Sequence, residues 1–245
     1  MDLAKFNFEP SVITDFMQSA IIDIGDELQL CVEVGGNPDH PPLLLIMGLG
    51  SQLVFWPDSF VKGLIDAGFF VIRFDNRDIG LSSKIARPFP RFPINNVKMM
   101  LRMQVGLTNR HFPVAYNLFD MVEDTRRLLD KLALKNVYVV GASMGGMIAQ
   151  ILAAKYPKRV STLGLMFTSN NKPFLPPTKP KQLQTLLSHP KTTQIDDVVA
   201  YGVWCMQRIG SPNHVDEEEV ERLIRLRFER SYHPRGALQP LQAIL

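Results

Sequence analysis

The stretch Val137 to Pro157, which reads VYVVGASMGGMIAQILAAKYP, constrains the fold of this chain more than any other. It opens with a β-branched and aromatic run, Val137 to Val140, whose composition is that of a buried strand. Small residues follow at once in Gly141-Ala142-Ser143-Met144-Gly145. Apolar residues then recur at helical spacing until Pro157, which cannot continue a helix. The stretch therefore predicts a strand, a tight turn and a helix, with Ser143 at the apex of the turn.

The pattern G-x-S-x-G between a strand and a helix is a nucleophile elbow, which presents a reactive serine. Gly141 and Gly145 are required because a side chain at either position would collide with the neighbouring strand or helix. The Ser143 hydroxyl is then held at the amino end of a helix, where unpaired N–H groups favour developing negative charge. We predict Ser143 as the catalytic nucleophile. The alternative is a glycine-rich turn whose serine only caps the helix.

Three motifs together resemble the α/β-hydrolases, and more closely the esterase branch that contains aclacinomycin methylesterase-like proteins. They are GASMGGMIAQ at 141–150, IMGLGSQLVFWP at 46–57 and VIRFDNRDIGLS at 71–82. The resemblance runs from about Ala20 to the last residue. It implies an α/β fold with a mainly parallel sheet, and a helical lid after the sixth strand. It also implies hydrolysis of a small-molecule ester through an acyl-Ser143 intermediate, without metal or cofactor.

The predicted elements form a core followed by a helical region. Alternating patterns predict an antiparallel hairpin at Gln18 to Ile24 and Leu28 to Val34, with Gly25-Asp26 as its turn. Apolar runs predict buried strands at Leu43 to Met47 and at Phe69 to Phe74, and Val160 to Phe167 is predicted as a further parallel strand. We therefore divide the chain into the N-terminal part of an α/β-hydrolase core at 1–167, and a helical lid with the start of a helix leading to an absent C-terminal core at 168–245.

An oxyanion hole must provide two N–H groups aimed at the oxygen of the tetrahedral intermediate. Met144, the residue after the nucleophile, supplies one of them. The loop after the third strand should supply the other, and here it reads Met47-Gly48-Leu49-Gly50. The matching donor is the backbone N–H of Leu49, and a backbone donor tolerates Met47 where relatives often carry histidine. The alternative is that this loop is only a flexible turn.

A histidine base and an orienting acid should follow the serine in chain order. The histidines after Ser143 lie in the proline-rich or helical region, and none follows a predicted strand: His189, His214 and His233. The acids of that region are expected to be surface or capping residues: Asp196, Asp197 and Asp216. We likewise expect four arginines to form a solvated face: Arg222, Arg225, Arg227 and Arg230.

Family members, by the resemblance, continue into two more strands that carry the acid and the histidine. We therefore expect a C-terminally truncated chain with impaired esterase activity. The outer edge of the sixth strand would then have no partner from this chain, and we expect self-association through it. The polar turn Asp75 to Asp78, together with Ser82, is expected to be structural, because such side chains often bond their own backbone.

Composition argues against several other functions. The net charge of +3 is interspersed along the chain, so we expect no nucleic-acid partner. No apolar run approaches the ~20 residues of a membrane span. Cys31 and Cys205 are the only cysteines and form no CxxC pair, which indicates reduced thiols and a cytoplasmic location.

Two other classes of function stay open at this point. Gly48-x-Gly50 after an apolar strand, with Asp75 ending the next strand, superficially matches a dinucleotide-binding fingerprint. Leu53 occupies the position of its third glycine, and Trp56-Pro57 interrupts the expected helix. The second alternative is a hydrolase-like chain that binds a ligand or partner and turns nothing over.

Overall fold

A computed structural model describes residues 3–86, 95–211, 213–233 and 236–245 of the chain. Its strands are β1 (Glu9–Pro10), β2 (Gln18–Gly25), β3 (Leu28–Gly35), β4 (Pro42–Ile46), β5 (Phe70–Phe74), β6 (Val137–Ala142) and β7 (Val160–Met166). Its α-helices are α1 (Asp58–Asp66), α2 (Asn96–Gln104), α3 (Leu118–Lys131), α4 (Met144–Lys155), α5 (Pro180–Leu187), α6 (Ile195–Ile209), α7 (Glu217–Arg230) and α8 (Leu238–Ile244).

The described strands form one mixed sheet in the order β1-β2-β3-β5-β4-β6-β7. The pairs β1-β2, β2-β3 and β3-β5 are antiparallel, and the pairs β5-β4, β4-β6 and β6-β7 are parallel. Parallel neighbours need crossover connections, and α1 and α4 supply them between β4 and β5 and between β6 and β7. The predicted α/β class is therefore confirmed.

The predicted hairpin is confirmed, but its turn lies one residue later than expected. Asp26 and Glu27 are its central residues, with φ of 54° and 59°. Positive φ at both central residues gives the backbone twist that matches two antiparallel strands. Gly25 instead ends β2, and its N–H donates to the Asp23 carboxylate at 2.7 Å.

Helices cover the two faces of the sheet. The larger apolar cluster joins β2 to β6 with helices α3 and α4, and it includes the fully buried Val122, Leu128 and Ile148. A second cluster on the opposite face contains Trp56 and Val61 of the α1 region. Strand β7 lies at the end of the sheet, and in the described part of the chain it pairs only with β6. Leu165 on this strand is consequently 45% exposed.

Helices α5, α6 and α7 form a separate layer, which we call the helical segment. Helices α6 and α7 pack against each other through the buried side chains of Val198, Val199 and Ile224. Phe55, from the short 3-10 helix Leu53–Phe55, packs against that contact and so joins the segment to the sheet. Helix α8 returns to the main core, where Ala243 is buried beside α3.

Candidate active site

Ser143 lies in the turn between β6 and α4, and we call this turn the elbow. Its φ of 53° and ψ of −119° are rarely adopted by a residue with a side chain. Hydrogen bonds hold the strained backbone: the Ser143 N–H donates to Met166 O at 3.0 Å, and the Thr168 hydroxyl donates to Ser143 O at 2.6 Å. The predicted strand, turn and helix are therefore all present, and Ser143 is half-buried at their apex.

The two glycines of the motif are required sterically, as the sequence predicts. A Cβ on Gly145 would lie 2.0 Å from Ile46 O, and one on Gly141 would lie 2.4 Å from Gly145 O. Contacts below 3.0 Å with backbone atoms cannot be relieved by rotating a side chain. The close approach of α4 to β4 and β6 thus depends on the absence of these two side chains.

The loop Met47 to Gly50 passes directly beside the serine. A Cβ on Gly48 would lie 3.0 Å from Ser143 Cβ and 3.6 Å from Ser143 Oγ. Over the described residues, the N–H groups of Leu49 and Met144 donate no hydrogen bond within the protein. Two unpaired amides beside one hydroxyl are the arrangement that can receive a developing oxyanion.

Polar side chains of the turn after β5 hold this loop in place. The Asp75 carboxylate accepts from Leu53 N at 2.8 Å and from Leu81 N at 3.0 Å. Asn76 Nδ2 donates to Met47 O at 3.1 Å, which fixes the first residue of the loop. The structural interpretation of this turn is confirmed, because these side chains satisfy the protein's own backbone.

Further bonds from the turn reach the rest of the core. Arg77 makes a bidentate pair with Asp124 of α3, with both distances 2.5 Å. The Tyr116 hydroxyl donates to Asp78 at 2.5 Å. Burial raises the pKa of Tyr116, and the Asp78 carboxylate raises it further. The phenol therefore stays protonated and remains the donor of this bond.

A buried polar contact also fastens the helical segment to the core. Gln52 Nε2 donates to Arg227 O at 2.9 Å and to Ser231 O at 2.8 Å, at the carboxyl end of α7. Arg230 Nη1 donates to Gln52 Oε1 at 2.9 Å and to Asp75 at 2.6 Å. The Arg230 and Asp75 side chains are 6% and 0% exposed. We call Gln52, Asp75 and Arg230 the α7 anchor.

The expectation of a solvated arginine face is wrong for half of its members. Arg222 and Arg225 are solvent-accessible and paired with acids of their own helix. Arg230 is buried in the α7 anchor, and Arg227 is half-buried against the Phe55 ring. Helical spacing could have predicted the inward position of Arg227, because Ile224 and Arg227 are three residues apart and so lie on the same face of the helix.

No histidine of the described part of the chain is hydrogen-bonded to Ser143. His40, His111, His189 and His214 are exposed, and His233 is half-buried. The acids behave as the sequence predicts: Asp196 pairs with Arg225, Asp197 accepts from Thr192, and Asp216 caps α7 by accepting from Glu219 N. The structure therefore brings together Ser143, Leu49 and Met144, but brings no base to the serine over the described residues.

The described residues contain no group of three or more His, Cys, Asp or Glu side chains placed to hold a metal ion. None of their helices combines the length and the apolar character needed to cross a bilayer.

Comparison with known proteins identifies the family. Residues 41–198 match the family model described as the alpha/beta hydrolase fold, and the chain belongs to this family. The solved structure of 2-hydroxy-6-oxo-6-phenylhexa-2,4-dienoate hydrolase from Rhodococcus sp. strain RHA1 superposes with a TM-score of 0.64 at 18% identity. It covers 93% of this chain and 70% of that one, and at this identity it shows the fold alone.

Curated relatives include a methylesterase and a depolymerase. The chain is 36% identical over 141 residues to rhodomycin D methylesterase DnrP of Streptomyces peucetius, which is 58% of this chain and 39% of the relative. It is 32% identical over 166 residues to a poly(3-hydroxyalkanoate) depolymerase of Ectopseudomonas oleovorans, which is 67% of this chain and 47% of the relative. The chain thus spans less than half the length of these two relatives.

Proposed function

We propose that the chain carries the nucleophile and oxyanion hole of a cytoplasmic serine hydrolase that acts on carboxylic esters. The observation that carries this proposal is Ser143 in the strained elbow, with Gly48 against it and two unpaired amides beside it. The similarity to a rhodomycin D methylesterase favours an ester as the substrate. The helical segment, within 168–245, serves as the lid over the serine.

The reaction has two steps. Ser143 Oγ attacks the ester carbonyl, and the N–H groups of Leu49 and Met144 stabilise the negative charge that forms on its oxygen. The C–O bond to the alcohol then breaks, the alcohol leaves with a proton, and an acyl-Ser143 ester remains. Water hydrolyses this ester to the acid and restores the hydroxyl.

We expect this chain to perform the reaction slowly. No histidine of the described residues bonds to Ser143, and an oxyanion hole with binding alone gives ~10³–10⁴-fold acceleration over water. The test is hydrolysis of a p-nitrophenyl ester, combined with labelling by a fluorophosphonate probe. Ser143→Ala should abolish both signals, whereas Ser161→Ala, on exposed β7, should leave both unchanged.

Two outcomes would change the proposal. Turnover near the ordinary ~10 s⁻¹, abolished by Ser143→Ala, would mean that a base serves Ser143 after all. Complete absence of labelling and hydrolysis in a folded protein would favour the second candidate, a hydrolase-like chain that only binds. That candidate is supported by the lack of a base among the described residues.

The oxyanion hole is tested separately at Leu49. Leu49→Pro removes the amide donor, whereas Leu49→Ala keeps it. The proline variant should lose ~10²–10³ in rate, and the alanine variant far less, with circular dichroism confirming that both are folded. Equal losses would mean that Leu49 contributes packing and not its N–H.

A further inference from the structure

The arginines of α7 differ in one respect that their sequence does not reveal. Arg222 pairs with Glu219 at 2.7 Å, Arg230 pairs with Asp75 at 2.6 Å, and Arg225 pairs with acids of α6 and α7. In the part of the chain that the structure describes, the Arg227 guanidinium has neither a carboxylate partner nor a hydrogen-bond acceptor. Arg227 is thus a cation without a compensating charge.

The surroundings of Arg227 are apolar or neutral. Its Cζ lies 5.6 Å from the centre of the Phe55 ring. The groups that interact with it electrostatically are Tyr232, Tyr201 and Cys205, and none of them is a carboxylate. Burial lowers the pKa of the Arg227 guanidinium, but a guanidinium remains charged at neutral pH. The side chain is only half-buried, so solutes reach it.

A partly buried charge without a partner is costly, and folded proteins pair such charges or give them a ligand. The guanidinium presents five N–H donors in a planar fork that matches a carboxylate in bidentate geometry. The apolar surroundings lower the local dielectric constant and so strengthen such a bond. The aromatic rings of Phe55 and Tyr232 suit the apolar part of the same ligand.

Arg227 is also tied to the proposed active site. The Gln52 side chain donates a hydrogen bond to Arg227 O at 2.9 Å and so holds this end of α7. Gln52 lies four residues after Gly48, which faces Ser143. Four residues span at most ~14 Å of extended chain. The backbone of Arg227 is therefore bonded to the segment that follows the loop supplying Leu49.

We infer that Arg227 is the anion-binding residue of a ligand site between α6, α7 and Phe55, and that its ligand is an apolar molecule with a carboxylate. Taking this ligand as part of the substrate, or as the acid product, rests on the proposed function. The binding of the carboxylate itself does not depend on catalysis by Ser143.

The experiment measures the melting temperature and the affinity of the full chain with acetate, hexanoate or benzoate. Benzamide, which has the shape of benzoate without its charge, is the neutral control. We expect benzoate or hexanoate to raise the melting temperature by binding the native state, and benzamide to have no such effect. Arg227→Met keeps the apolar stem on Phe55 and should weaken carboxylate binding about tenfold to a hundredfold.

Matched variants separate the possible causes. Arg222→Met removes an exposed, paired arginine of the same helix and should bind benzoate as the unchanged chain does. Ser143→Ala should also retain binding, so failure of the proposed function is distinguishable from failure of this inference. Lack of binding to all three carboxylates, or equal binding by Arg227→Met, would overturn the inference. A higher melting temperature of ligand-free Arg227→Met would support it, because the variant removes an uncompensated charge.

Discussion

The elbow and the helical segment are held in place by different kinds of contact, close backbone packing in one and buried polar bonds in the other. Around Ser143, the absence of side chains at Gly141 and Gly145 lets three elements approach closely. The helical segment is instead fixed to the core by the α7 anchor, in which Arg230 reaches Asp75 across 155 positions of sequence. The elbow is marked by a local motif, although Gly145 faces Ile46 of a distant strand, whereas no local motif marks the partners that position α7. The predictions below test this contrast, from the largest expected effect to the smallest.

The largest effect should come from the elbow glycine. Gly145→Ala places a methyl group 2.0 Å from Ile46 O, so α4 and β4 must separate, and we expect a loss of more than ~4 kcal/mol of unfolding free energy. Gly63→Ala is the matched control: nothing lies within 4 Å of its Cβ position in α1, so it should stabilise by up to ~1 kcal/mol. Urea unfolding followed by circular dichroism measures both, and a well-folded Gly145→Ala protein would contradict the steric argument.

The α7 anchor should give the next largest effect. Arg230→Met leaves Asp75 buried without its cation, and breaking a buried pair in this way costs ~3–5 kcal/mol. Arg222→Met removes an exposed pair and should change stability by less than ~0.5 kcal/mol.

The two tryptophans separate release of the helical segment from global unfolding. Trp204 lies on α6 and Trp56 lies in the core, so Trp204→Phe leaves a core reporter and Trp56→Phe leaves a reporter in the helical segment. In Arg230→Met the Trp204 signal should change at lower urea concentration than the Trp56 signal. Coincident transitions would show that the segment and the core unfold as one unit.

The same contrast explains which parts of the fold sequence patterns predict. The amphipathic pattern from Leu118 to Lys131 predicts a helix with the bounds that α3 has. Asn117 caps this helix by accepting hydrogen bonds from Phe119 N and Asp120 N. The residues of such a capping box lie within four positions of each other, so the sequence alone shows it. Strand β1, with two residues, is too short to show any period, and it was missed.

The candidate site divides in the same way. Ser143, Met144 and Leu49 follow from local motifs, and the structure places them together, although their chemical roles remain predictions. The inward position of Arg227 and Arg230 was missed, since an arginine on a charged helix carries no local sign of a partner elsewhere. Only the contact with Phe55 and the bond to Asp75 distinguish these two residues from Arg222.

The two edges of the sheet give the third prediction. Strand β1 is a short edge with Pro10, which discourages pairing. The outer edge of β7 has seven residues and carries the exposed Leu165, followed by Phe167, which is 78% exposed. Because each copy of the chain carries this edge, we expect self-association through β7.

The association is measured by analytical ultracentrifugation over a range of concentrations. Leu165→Lys places a charge on the edge and should weaken association about tenfold or more, as expected from losing burial of a leucine. Val12→Lys changes an equally apolar residue, 97% exposed near β1, and should have no effect. A monomer at every concentration would contradict the prediction.

The smallest effect concerns the support of the elbow helix. Glu123 of α3 accepts hydrogen bonds from three side chains, those of Arg126, Lys155 and Tyr156. Burial raises the pKa of this carboxyl, but the three donors outweigh burial and lower the pKa from 4.5 to about 2. A lowered pKa stabilises the fold above the unfolded value and loses this contribution as the pH falls toward 2.

Glu123→Gln should therefore cost about 1 kcal/mol near neutral pH. The difference from the unchanged chain should shrink between pH 5 and pH 2 and vanish near the lower limit. Thermal melts across this range measure it. A constant difference at all pH values would show that the carboxylate charge is not the source of the stabilisation.

Cys31 has a consequence for kinetics. Its thiol is fully buried, Leu226 of α7 packs over its cluster, and Arg230 Nη2 lies 3.2 Å from its sulfur. Burial raises the pKa of this thiol to about 11, so an alkylating reagent meets almost no thiolate while α7 is seated. The rate at which Cys31 is alkylated then reports how often α7 separates from the core.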